Sequence, residues 1–148
     1  MAIELDTSGK FDPFVDEHEA LHESLRKLRW VLDECKSPRE AAQLLAEFSD
    51  HARAHFVHEE QPDGFFDSVV DQAPRLKTRA DALIQEHSVM STKLVELAEL
   101  ASDCTDSDEW WSAFRDGFES FWQSFCQHER LENDLVQEAF HDDIGSKD

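Results

Sequence analysis

Four segments of the chain carry apolar residues at 3.6-residue spacing, each bounded by Pro, Gly, Ser or Asp. No stretch alternates apolar and polar residues as a half-buried strand would, so the pattern predicts an all-α chain. The first helix begins at Asp12-Pro13, with Asp as cap and Pro at the first helical position, and runs to about Cys35. Its inward stripe reads Phe14, His18, Leu21, Leu25, Leu28, Leu32. The second opens at Ser37-Pro38-Arg39-Glu40, a capping-box pattern, with the stripe Leu44, Phe48, His55, Glu59. Pro62 and Asp63-Gly64 end or bend it, and Phe65 to Gln72 read as a short apolar connector with a helical turn of its own. The third starts near Pro74 with Leu76, Ala80, Leu83, His87, Leu94, Leu97, and an acidic loop, Asp103 to Asp108, follows. The last carries Trp111, Phe114, Phe118, Phe121, Phe125, His128, Glu132, Leu135. Three short connections between four helices imply an antiparallel up-down-up-down four-helix bundle over about residues 13–141, in a single domain spanning 1–148.

The stripes are interrupted by histidine, once per helix. A lone His on an apolar face is more often a hydrogen-bonded core residue than a ligand, but four in register are different. His55 and His128 are each followed four residues later by a glutamate, Glu59 and Glu132, which puts imidazole and carboxylate on one face a turn apart. Measured from the loop end near Cys35, Glu40 and Ala101, the four histidines lie about 14 to 20 residues deep, within roughly one to two turns of each other. Buried without compensation, each carboxylate would cost several kcal/mol, and no Lys or Arg stands on these stripes. A cation answers that cost. Imidazole with carboxylate suits iron, manganese or zinc, and two carboxylates able to bridge suit a pair of ions. The Glu-x-x-His spacing of ferritin-like sites also occurs, at Glu19/His22 and Glu138/His141, but off the central stripes or at the chain end.

Charge narrows the partners. Lys plus Arg number 14 against 34 Asp plus Glu, for a formal net charge of -20, so a nucleic-acid backbone or an anionic membrane surface would repel the chain. The Met1 to Asp6 start lacks the basic and apolar stretches of a signal peptide, and no apolar run approaches a bilayer span, which leads us to expect a soluble, cytoplasmic protein. Cys35, Cys104 and Cys126 match no CxxC spacing and read as ordinary thiols. Cys35 and Cys104 both fall near the loop end, where they could approach each other; Cys126, two residues before His128, falls on another helix face.

The order His, HxxxE, His, HxxxE, one motif per helix, resembles the hemerythrin-like, or HHE cation-binding, domain family. The likeness extends to His55-Phe56-Val57-His58-Glu59-Glu60 before a Gly-aromatic turn, to Gln85-Glu86-His87 and to His128-Glu129-Arg130-Leu131-Glu132-Asn133, and it spans about Phe14 to Phe140. It implies a non-haem centre of two iron ions, bridged by Glu59 and Glu132, with His18, His55, His87 and His128 as terminal ligands. The chain departs from oxygen-carrying hemerythrins, which place two histidines one turn apart on the third helix: here Leu83 and Ser91 flank His87 at those spacings. The missing imidazole leaves one more metal position for another ligand and weakens the case for reversible oxygen carriage. His58, His22 and His51 are candidates for a fifth imidazole, His58 first because it adjoins Glu59, although a surface or supporting role fits it better. Glu60 is a further carboxylate expected near the site.

Several functions are compatible with this reading. The centre binds or senses O2 or a related small ligand, nitric oxide or peroxide; or it is an oxidoreductase that detoxifies peroxide or oxygen species; or it handles iron. A metal-free interaction bundle is the plain alternative. Zinc and manganese stand beside iron on ligand type, and a monomer or weak oligomer with a redox or signalling partner is expected.

Overall fold

In the computed structural model, residues 9–34 and 37–142 are described. Their apolar stripes fold as the sequence pattern requires: α1 (Asp12–Glu34), α2 (Pro38–Glu60), a short α3 (Phe65–Gln72), α4 (Lys77–Ser102) and α5 (Asp108–Gln137), with no strand among the described residues. Ser37 caps α2, its Oγ accepting the Glu40 N–H at 3.1 Å, and Ser107 caps α5 through the Trp110 N–H at 3.0 Å. Pro74–Leu76 form a 3-10 turn that runs into α4, so the helix itself starts three residues after the expected Pro.

The long helices pack as an antiparallel up-down-up-down bundle in the ring order α1, α2, α4, α5. Side-chain pairs across α1 and α5, His22 with Glu129 and Arg29 with Glu119, run in opposite chain directions; so do His128 with Glu86 and Ser124 with Lys93 across α4 and α5. The α4–α5 turn is held by the Trp110 indole N–H donating to the Leu100 carbonyl at 2.8 Å and that of Trp111 donating to Asp106 at 2.7 Å.

The expected stripe positions are buried except His18 and Leu44. On α2 the inward row is Ala41, Leu45, Phe48, Ala52, Phe56, whereas Leu44, expected in it, is only half-buried. Three helical turns, about 11 residues, back from Phe56 fall on Leu45, and Leu44 sits about 100° around the helix from it.

The core is divided in two. One apolar cluster, from Leu21 and Leu25 through Phe48 to Phe121 and Phe125, fills the end with the α1–α2 and α4–α5 turns. The other, built on Phe11, Phe14, Phe65, Phe66, Leu76, Leu83 and Leu135, fills the opposite end. The connector read as a single turn is the eight-residue α3, and it closes this second end by stacking Phe65 edge-on against Phe11 and Phe14. It turns off α2 at Asp63, whose φ is 61°, and at Gly64, where a Cβ would stand 2.8 Å from the Gln61 carbonyl oxygen and 2.9 Å from that of His58. No side chain fits there, so glycine is what lets α3 fold back over the bundle end. After α5, a π-helical turn over Glu138–Asp142 buries Ala139 and sets Phe140 5.5 Å from Phe11; His141 is exposed on this turn. Cys35 and the chain beyond Asp142 lie outside the described residues, so the expected approach of Cys35 to Cys104 is not described.

Candidate metal centre

Between the two apolar clusters lies one polar layer. His18 falls between Phe14 and Leu21 on its stripe, His55 and Glu59 follow Ala52, His87 falls between Leu83 and Met90, and His128 and Glu132 stand between Phe125 and Leu135. Helical spacing therefore turns all six toward the bundle axis. Glu59 and Glu132 are wholly buried, and His55, His87 and His128 nearly so.

The six side chains form two four-donor groups that share both carboxylates. His18, His55, Glu59 and Glu132 make one, and Glu59, His87, His128 and Glu132 the other; within each, the donor atoms lie within 4.8 Å of one another. Each carboxylate turns one oxygen to each group. Glu59 Oε2 is 3.5 Å from His18 Nε2 and 3.1 Å from His55 Nε2, while its Oε1 is 3.2 Å from His87 Nε2. Glu132 Oε1 is 3.3 Å from His18 Nε2, and its Oε2 is 2.9 Å from His128 Nε2.

The outer nitrogens explain why all four imidazoles present Nε2 inward. His55 Nδ1–H donates to Glu17 at 2.6 Å, His87 Nδ1–H to Glu60 at 2.6 Å and His128 Nδ1–H to Glu86 at 2.8 Å; Glu129 stands 3.4 Å from His18 Nδ1. A carboxylate only accepts, so these contacts put the proton on Nδ1 and leave a lone pair on Nε2. The partners run round the bundle: α1 supplies the acid for the α2 histidine, α2 for α4, α4 for α5 and α5 for α1. Glu60 was expected near the site, and this is its place. Glu17, Glu86 and Glu129 escaped the sequence reading, although each adjoins a stripe histidine in the chain.

Lone pairs so arranged repel. His87 Nε2 and His128 Nε2 face each other at 3.1 Å, and His18 Nε2, both Glu59 oxygens and Glu132 Oε1 are buried without a hydrogen-bond partner. Only positive charge in the middle relieves this, as protons on the imidazoles or as metal cations. The protonation tendencies say the same. Burial pulls the His18 imidazole down, but the facing carboxylates of Glu132 and Glu59 overcome it and lift it to about 10. His87, with burial opposed by Glu132, Glu59 and Glu60, is likewise raised to about 10. His55 and His128 are raised against burial by Glu59 and Glu132 respectively. Burial would raise the Glu132 carboxyl, yet His128, His18 and His87 hold it well below the usual carboxylate range. Imidazole and carboxylate donors left unpaired in a dry layer are the chemistry a cation pair would satisfy, so the residues fit such a group.

The layer is walled by rings. Phe56 stacks on His87 at 4.3 Å, Phe66 stands 5.7 Å from the same ring, and Phe125 lies 6.5 Å from His18. Of the candidates for a fifth imidazole, none joins either group: His58 donates to Glu17 at 2.8 Å and packs on Phe14, His22 contacts Glu129 at 2.5 Å, and His51 is exposed. The alternative Glu-x-x-His pairs are not assembled, since Glu19 and His141 are exposed and Glu138 is engaged by Arg79 at 2.6 Å.

The outer acids make a specific prediction. Glu60→Gln keeps an acceptor for His87 Nδ1–H but removes its charge, so cation affinity by chelator competition is expected to fall about tenfold with the fold intact. Unchanged affinity would reduce the contact to a surface hydrogen bond.

No helix among the described residues is long and apolar enough to cross a membrane. Comparison with the curated proteins and with the solved structures returns no match. Comparison with protein families does: the hemerythrin HHE cation binding domain matches residues 10–140. With that match across almost the entire chain, and with its helical bundle, the chain belongs to the hemerythrin HHE cation-binding domain family.

Proposed function

We propose that the chain is a non-haem di-iron protein that binds, senses or handles O2 or a related small ligand, nitric oxide or peroxide. The observation that carries the reading is the sharing of Glu59 and Glu132 between the two donor groups, one oxygen to each side. Glu59 and Glu132 would hold both ions, with His18 and His55 completing one donor set and His87 and His128 the other. Iron commonly takes six donors, so four from the protein on each side leave positions for small ligands, and bound iron would supply redox and Lewis-acid chemistry there. The protein's own part is to orient four Nε2 lone pairs through the outer acids and to exclude water with Phe56, Phe66 and Phe125. No third imidazole joins His87 and His128, so the two donor sets are equal in number, four each, and would offer the two ions like surroundings.

A second reading, an oxidoreductase acting on peroxide, draws support from the unequal shielding of the six residues: the His18 side chain is 12% exposed, and the other five 4% or less. Peroxide consumption by the loaded protein separates this reading from a sensor, which responds spectrally without turnover. The experiment that tests the shared premise is metal content with the visible spectrum, on protein from iron-supplied cells and on His55→Ala/His128→Ala. About two irons per chain in the former, absent from the variant, are expected; metal-free protein indifferent to the histidines would leave only a structural bundle.

A further inference from the structure

At three of the four seams between neighbouring helices a glutamate covers the imidazole of the polar layer, although the α4–α5 seam also carries a smaller cleft of about 370 Å3 outside Glu86, lined by Val89, Lys93 and Gln127. Along α1–α2, α2–α4 and α4–α5, a glutamate lies directly on the imidazole Nδ1 at 2.6 to 2.8 Å. The α1–α5 seam is built differently. It opens into a cleft of about 600 Å3 whose lining includes Val15, His18, His22, Cys126 and Glu129. On the side toward the α4–α5 turn, the seam is shut by Arg29, which bonds both Glu119 oxygens at 2.6 Å and lies 4.2 Å over the Trp122 ring. His18 is also the most loosely supported imidazole. Glu129 gives one oxygen to His22 at 2.5 Å and leaves the other 3.4 Å from His18 Nδ1.

We propose that this cleft is the door of the centre, through which divalent cations enter and leave past His22 and Glu129, with His18 as the ligand that yields. The inference rests on the metal-centre reading above. The occupant is a cation because the donors it would meet are carboxylate and imidazole: Glu19, Glu129 and His22 line the cleft, while Arg26 is turned onto Glu23 at 2.9 Å and Arg130 onto Gln127 at 2.9 Å. A chain of net charge -20 gathers cations at its surface and passes them to the seam where His18, the most exposed of the four imidazoles, meets solvent.

Cys126 is a half-buried free thiol on the cleft wall and serves as the handle for the test. In a Cys35→Ser/Cys104→Ser background, metal-free full-length protein is labelled at Cys126 with either a methylthio group or a bulky aryl maleimide. Ferrous iron is then added anaerobically, and uptake is followed by tryptophan fluorescence and by bound metal. The bulky label is expected to slow uptake about tenfold or more, the methylthio group far less, with the final stoichiometry unchanged. The same maleimide on Val89→Cys, exposed on α4 at the smaller α4–α5 cleft, in a chain that also carries Cys126→Ser, is expected to leave the rate alone; slowing there instead of at Cys126 overturns the door. Full stoichiometry reached at an unaltered rate with the bulky label overturns the door while sparing the metal centre. A chain that binds no iron in any form overturns both.

Discussion

Glu59→Gln/Glu132→Gln is expected to give a folded helical chain that no longer retains metal and no longer responds to a chelator. Glutamine matches glutamate in size, so the wholly buried positions at 59 and 132 stay filled and the apolar clusters on either side keep their packing. What goes is the charge. Two anionic oxygens turned to each donor group become two neutral amides, and the cations lose both their bridges and most of their electrostatic stabilisation. If metal binds the folded wild-type chain alone, as the proposed centre requires, free ion at roughly a thousand times Kd adds about 4 kcal/mol of stability. For a chain of this length that corresponds to a shift in Tm on the order of 10 °C, removed by chelation. The double variant loses this increment because it loses the ions. Without metal, the variant is expected to be less stable than the wild type below pH 6.5 and to lack the wild type's loss of stability toward pH 10, because glutamine removes the carboxylates that hold His18 and His87 protonated. Thermal unfolding by circular dichroism, with and without chelator and with metal analysis of each sample, reads all of this. A variant that keeps two ions per chain removes Glu59 and Glu132 from the bridging positions; a loaded wild type with the same Tm after chelation removes the coupling of metal to fold.

How much of the centre could be read from the chain depends on whether a signal lies within one helix or between two. His55 with Glu59 and His128 with Glu132 are one-turn relations, visible as soon as the helices are drawn, and their depth from the shared loop end brings in His18 and His87. The outer acids are relations between helices. Glu86 looks like a solvated neighbour of His87, yet it serves His128 on α5, and Glu17 beside His18 serves His55 on α2. To find them one must know that the ring order is α1, α2, α4, α5, and a stripe pattern does not hold that order. The rest failed for want of length. Eight residues of α3 are two turns, too few to separate a helix from an apolar connector by period, and what fixes it is packing on Phe11 and Phe14 from a distant part of the chain. Leu44 and Leu45 are adjacent and equally apolar, so only the neighbours on α2 decide which one turns inward.

In the proposed centre proton and metal would compete for the same nitrogens, which leads to opposite pH trends for the two forms of the protein. In the metal-free chain His18 and His87 are raised from 6.5 to about 10. Groups raised on folding contribute stability that is fully present below pH 6.5 and is lost as pH climbs toward 10. Glu59 and Glu132 are lowered from 4.5, so their contribution is present above that value and is lost as the medium is acidified through their folded-state values. Metal-free protein is therefore expected to be most stable between about pH 4.5 and 6.5 and to weaken steadily on the alkaline side. Loading reverses the alkaline trend, because a cation must displace the imidazole protons and binds more tightly as they become scarce. At pH 7.5, metal uptake is expected to release about two protons, chiefly those of His18 and His87, into a weakly buffered solution containing an indicator dye. The metal-dependent rise in Tm should then grow from pH 6 toward pH 9. Uptake with no proton release would mean that the four imidazoles are already neutral in the metal-free chain. His87 Nε2 and His128 Nε2 would then have to hold their 3.1 Å separation as two lone pairs, with no positive charge between them.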